Sequence, residues 1–115
     1  METTIYTKGS WLIVRLKGEL DVATVPAARA KVEQALQRQT ITGLLVDLTN
    51  VMFMDSSGLG FLLGRYRRLV ENKGTMIVVG AQGQVRRVLE LSGLTRIIPQ
   101  KPTLAEAMVV MGEGK

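Results

Sequence analysis

No cysteine occurs in the 115 residues, which excludes a disulfide framework and thiol chemistry and agrees with a reducing cytoplasm. No histidine occurs either. A Ser-His-Asp triad is therefore impossible, and any serine nucleophile would lack its usual base. Aromatic residues make up 4% of the chain, too few to build the base-stacking platforms of single-stranded nucleic-acid binders. No apolar run approaches the ~20 residues needed to span a bilayer, and the opening METTIYTKGS lacks a basic segment followed by an apolar core. These absences lead to the expectation of a cytoplasmic protein with no membrane partner.

What is present suits one small module. A hydrophobic content of 46% over this length can bury one contiguous core, so residues 1–115 are expected to form a single domain. The formal charge is +5, and Arg65, Arg67, Arg68, Lys73, Arg86 and Arg87 are candidates for a basic surface. Solvated helix faces are the commoner origin of such residues. No zinc-finger spacing or RNA-binding aromatic motif accompanies them, so a small basic nucleic-acid-binding domain stands only as a rival, and no direct nucleic-acid partner is expected.

Periodicity lays out the elements. Ile5 to Thr7 and Trp11 to Lys17 read as two strands around a Lys8-Gly9-Ser10 turn, with Leu12, Val14 and Leu16 on one face. Thr24 can cap a helix that holds Pro26 in its first turn, repeats Val25, Ala28, Val32, Ala35 and Leu36 at helical spacing, and ends near Arg38. A buried strand from Leu44 to Leu48 precedes a helix from about Ser56 to Asn72, which Lys73-Gly74 closes. Thr75 to Val79 predicts a further strand, Gln84 to Leu91 a third helix, Ile97-Ile98 a short strand, and Thr103 to Met111 a last amphipathic helix with Leu104, Ala107, Met108 and Met111 on one stripe. The order is ββαβαβαβα. Alternation from residue 43 onward implies an α/β fold with parallel strands covered by helices.

The segment Leu44 to Leu69, LLVDLTNVMFMDSSGLGFLLGRYRRL, is the most informative. A strand delivers Asp55 and Ser56 to a helix start, where side-chain oxygens accept hydrogen bonds from backbone N–H groups that the first turn leaves unpaired. One cap needs one oxygen. Asp55, Ser56 and Ser57 crowd the same turn beside Gly58 and Gly60, which weaken a helix but let another surface approach closely. Asp21, Asp47 and Asp55 could in principle hold Mg²⁺ as in receiver domains, but Lys17-Gly18-Glu19 stands where receivers pair acidic residues. Gly58, Gly60 and Gly64 are not followed by the Lys-Ser/Thr of a phosphate-binding loop. No catalysis, metal or cofactor is expected, and Asp47 reads as structural.

Phe53-Met54-Asp55-Ser56-Ser57-Gly58-Leu59-Gly60 followed by Leu63-Gly64-Arg65-Tyr66 resembles, without a gap, the signature of the STAS domain, and most closely that of the anti-sigma factor antagonists of sporulating bacteria. Gly18-Glu19-Leu20-Asp21 resembles the family's GELD element, and Leu91-Ser92-Gly93-Leu94 with Ile97-Ile98 its late helix end and last strand. The resemblance covers nearly the whole chain and implies a mixed, mostly parallel sheet flanked by helices. It also implies partner switching. The unphosphorylated protein would bind an anti-sigma factor that is itself a serine kinase and release the sigma factor; phosphorylation on Ser56 would end binding, and a serine phosphatase would reset the cycle. Asp21, Asp55, Ser56, Ser57 and Gly58 would form the docking surface, although without the resemblance Asp21 reads first as a turn or cap residue. A STAS regulator of a general stress pathway is the alternative within the same chemistry.

Overall fold

The computed structural model describes residues 1–38 and 40–113. The elements are β1 (Glu2–Lys8), β2 (Trp11–Leu20), α1 (Val25–Arg38), β3 (Gly43–Met54), α2 (Ser56–Glu71), β4 (Thr75–Val79), α3 (Gly83–Ser92), β5 (Gln100–Lys101) and α4 (Leu104–Glu113), with a 3₁₀ turn at Leu94–Arg96 after α3. The five strands lie in the order β1-β2-β3-β4-β5. β1 pairs antiparallel with β2, and every later pairing is parallel. The expected ββαβαβαβα order and mixed, mostly parallel sheet are those observed.

Alternation along the strands builds two cores. Leu12, Val14 and Leu16 of β2, Leu44, Val46 and Leu48 of β3, and Met76 and Val78 of β4 pack with residues of α1, α2 and α3. The intervening Ile13, Leu45, Ile77 and Val79 face the other way and are covered by Ala107 and Met111 of α4. Three helices thus cover one face and one helix the other, which is why the central strands are apolar at nearly every position. The helical stripes do the covering. Val25, Ala28, Val32, Ala35 and Leu36 of α1 are buried as the spacing requires, as are Phe61, Leu62 and Leu69 of α2. Each valine, leucine or phenylalanine among them contributes about 1.5–3 kcal/mol when fully buried.

Two expectations are corrected. The strand expected over Leu44 to Leu48 continues to Met54, because two irregularities in its pairing with β2 carry it past Asp47. The strand expected at Ile97-Ile98 is absent. Those residues close the 3₁₀ turn, with both N–H groups donating to the Leu94 carbonyl, and Ile98 is buried against the helical side of the sheet. Their apolar character reflects packing, and bonding to β4 begins at the Pro99 carbonyl, which accepts from the Val78 N–H at 3.0 Å, with Gln100 and Lys101 as the paired residues.

Candidate docking site

β2 and β3 end side by side, Leu20 paired with Met54, and α1 and α2 start from the two strand ends. The Asp55 N–H donates to the Leu20 carbonyl at 3.3 Å, which holds the β3–α2 junction against the loop that leads to α1. Asp55 is extended, at φ −110° and ψ −169°, and is the N-cap of α2. Its Oδ1 accepts from the N–H of Ser57 at 2.8 Å and of Gly58 at 3.3 Å, while Oδ2 accepts from the N–H of Val22 at 3.2 Å. A single carboxylate therefore caps one helix and ties down the loop before the other.

Asp21 does the corresponding work for α1. Its Oδ1 accepts from the N–H groups of Ala23 at 2.9 Å and Thr24 at 3.0 Å. The Thr24 hydroxyl accepts from the Asp21 N–H at 3.0 Å and donates to the Glu19 carbonyl at 2.7 Å. The turn reading of Asp21 is thus realised, and the same turn sets Val22 beside the Asp55 carboxylate. On the other flank, the Gln84 side chain accepts from the Met54 N–H at 2.9 Å and donates to the Met54 carbonyl at 2.8 Å, much as a neighbouring strand would. The strand end that presents Ser56 is fixed from both sides.

Within this frame Ser56 is exposed and Ser57 half-buried, and neither hydroxyl makes a hydrogen bond among the described residues. The redundancy of oxygens is resolved: Asp55 caps and the serines do not. Gly58 lies beneath the surface. It is buried, and a Cβ there would stand 2.6 Å from Met54 Cγ and 2.9 Å from the Leu20 carbonyl oxygen. Its close approach is to this chain's own β2 and β3, so its expected place on the docking surface is corrected to support under it. Gly60 and Gly64 differ, since a Cβ on either would meet nothing within 4 Å. Spaced four residues apart from Ser56, they run along one face of α2.

Three exposed apolar residues lie on the end of β3 and the loop after β2 without having been singled out from the sequence. Val22 is 72%, Met52 80% and Phe53 39% exposed. Met52 is the residue by which β3 outruns β2 between the pairs Gly18–Val51 and Glu19–Phe53, and bulges of this kind re-aim side chains. The run Val51-Met52-Phe53-Met54 signals burial by composition, and only the register irregularity turns two of its members outward.

The basic residues divide. Arg65 Nε lies 2.8 Å from Glu33 Oε2, and Arg68 Nη1 contacts Glu33 Oε1, so both arginines join α2 to α1. Burial lowers the Arg65 pKa, Glu33 opposes that shift, and Arg29 and Arg68 add to it; Arg65 also stacks over Phe61 at 5.5 Å. These two residues are withdrawn from the basic surface the sequence suggested, whereas Arg67, Lys73, Arg86 and Arg87 are exposed. Asp47 is structural, 4% exposed, bonded to the Thr49 N–H and hydroxyl and paired with Arg15 at 3.3 Å.

Residues 2–107 match the STAS domain. The chain is 44% identical over 88 residues to an anti-sigma F factor antagonist of Paenibacillus polymyxa, covering 76% of this chain and 75% of that protein. It is 34% identical over 94 residues to an anti-sigma-B factor antagonist of Staphylococcus aureus, covering 82% and 84%. Among solved structures it resembles the anti-sigma factor antagonist SpoIIAA in its unphosphorylated form, at a TM-score of 0.77 and 26% identity over 99% of this chain and 100% of that one. It likewise resembles the Bacillus cell fate determinant SpoIIAA in the phosphorylated form, at 0.76 and 31% over 96% and 99%.

Proposed function

The chain belongs to the STAS-domain family, and from that membership we propose that it is an anti-sigma factor antagonist similar to SpoIIAA, switched by phosphorylation of Ser56. In its unmodified form it docks on an anti-sigma factor and frees a sporulation sigma factor. The anti-sigma factor, acting as a serine kinase, phosphorylates Ser56 and releases itself, and a serine phosphatase restores the first state. The protein is substrate and ligand, and the docking surface consists of Asp21, Asp55, Ser56 and Ser57, with Gly58 beneath it.

One observation carries this reading: Asp55 alone caps α2, so the exposed Ser56 hydroxyl has no duty in the fold and is free to be modified. Phosphate adds about −1.5 to −2 charges at neutral pH. The helix start tolerates an anion, because its N–H groups and dipole face outward there. A partner covering the same surface must desolvate those charges beside Asp55. For two like charges about 4 Å apart at an effective dielectric of ~20 the cost is on the order of 4 kcal/mol, or roughly a thousandfold in affinity.

The likeness to the anti-sigma-B factor antagonist of Staphylococcus aureus favours a second reading, a general stress pathway with the same chemistry and another partner. Incubation with the cognate anti-sigma kinase and Mg-ATP, followed by mass spectrometry, tests the switch. Phosphate is expected on Ser56, and its appearance on Ser57, Ser10 or a threonine would reject the assignment. Ser56→Ala is expected to resist phosphorylation and still bind. Whether the sigma factor released is the sporulation or the stress factor distinguishes the two pathways.

A further inference from the structure

At the end of the sheet away from Ser56, where β3 and β4 begin, a cleft of about 500 Å³ opens between the β1–β2 turn, the α2–β4 turn and the end of α4. This volume falls within the range of small-molecule sites. Trp11 forms one wall. Its ring lies flat enough on the backbone of Gly43 that a Cβ there would stand 2.3 Å from it, so the indole is held in place by close packing. Met108 and Met111 of α4 line the cleft with it and supply adaptable apolar surface.

The charged lining is of one sign, beside the hydroxyls of Ser10, Thr42 and Thr75. Lys8 and Lys73 both line the cleft, and no acidic side chain does so among the described residues. Lys73 is the one described non-glycine residue with positive φ, at +61°. Glycine or asparagine would adopt that conformation at lower cost, yet a lysine stands there and lines the cleft. The walls are pinned before any ligand arrives: the Thr42 hydroxyl donates to Ser10 Oγ at 2.9 Å, and the Thr75 N–H donates to the Thr42 carbonyl at 2.9 Å.

We infer that this cleft binds a small amphipathic organic anion, with an apolar body against Trp11, Met108 and Met111 and an anionic head between Lys8 and Lys73. Neither a neutral apolar molecule nor a compact inorganic anion uses both halves of the site. The site lies at the opposite end of the sheet from the docking surface and stands independently of the switch proposed for Ser56.

Trp11 is the only tryptophan of the chain, so its emission reports on the cleft alone. Octanoate serves as the probe and octanol as its neutral match, with the full-length wild type and the Lys8→Gln/Lys73→Gln double variant titrated in parallel. Octanoate is expected to change Trp11 emission saturably. Octanol is expected to bind more weakly, and the double variant, whose exposed lysines can be replaced without touching the core, to lose about tenfold in octanoate affinity with an unchanged melting temperature. Equal binding of octanoate and octanol, a double variant that binds octanoate like wild type, or the absence of a saturable response would each overturn the inference.

Discussion

Asp55 and Ser56 are adjacent, yet among the described residues only the Asp55 side chain bonds to the fold. Asp55 satisfies three backbone N–H groups on two segments, so Asp55→Ala is expected to cost about 1–2 kcal/mol and to lower the melting temperature by roughly 5 °C before any partner is present. Ser56→Asp is expected to leave unfolding nearly unchanged, because a carboxylate at a helix start suits the dipole, while binding to the anti-sigma factor weakens through the added charge. Aspartate carries less charge than phosphate, so the defect is partial. Calorimetric titration beside thermal unfolding separates the two effects: unchanged affinity, or a large loss of stability, would mean that Ser56 is not a local electrostatic switch. The importance of this turn was legible from residue types alone, since Asp, Ser, Ser and Gly crowd one helix start. Which oxygen caps was not, because three candidates stood within reach and only the extended backbone of Asp55 aims its carboxylate along the helix.

Along α2 the glycines form a natural contrast. A Cβ at position 58 collides with Met54 and Leu20, so Gly58→Ala is expected to destabilise the fold by about 1–3 kcal/mol through overpacking. A Cβ at position 60 meets open space, and Gly60→Ala is expected to stabilise the isolated protein by roughly 0.5–1 kcal/mol. Because the proposed partner approaches that face, Gly60→Ala should also bind the anti-sigma factor less tightly. Denaturant unfolding and calorimetry on the same variants check both signs, and a Gly60→Ala protein that binds unimpaired would remove this face of α2 from the docking surface. Elements with strong periodicity, such as α1, were readable to within a residue or two. β3 was not, because strand pairing through a bulge leaves no mark on hydrophobic spacing, and the exposed pair Met52 and Phe53 was hidden by the same cause. Ile97 and Ile98 misled for the converse reason, since a short apolar pair looks the same whether it joins a sheet or plugs the end of a helix.

At the scale of the molecule, the charge of +5 is not gathered into one basic face. Glu33 engages Arg65 and Arg68 between α1 and α2, Asp47 pairs with Arg15, and Glu90 lies 3.6 Å from Arg86. Association with DNA or RNA is therefore expected to be weak and to vanish as salt rises, since only counterion release would drive it. Filter binding across a salt series measures this, and sequence-selective binding that survives physiological salt would promote the nucleic-acid rival.

The strand order β1-β2-β3-β4-β5 is also the order of synthesis. Each strand emerging from the ribosome finds its partner already at the growing edge, and no later strand has to insert between two that have paired. β1 and β2 can close as a local hairpin, after which each crossover helix returns the chain to the open side. The sheet can thus assemble by addition at one edge, which keeps most pairings close in sequence and avoids the slow, aggregation-exposed wait for a distant strand. The strand end that carries Ser56 is complete only once α3 has been made, because Gln84 supplies the second set of bonds to Met54. A nascent chain halted before α3 would expose the serine on a half-secured strand end, so the order of translation itself delays the finished surface around Ser56 until most of the domain exists.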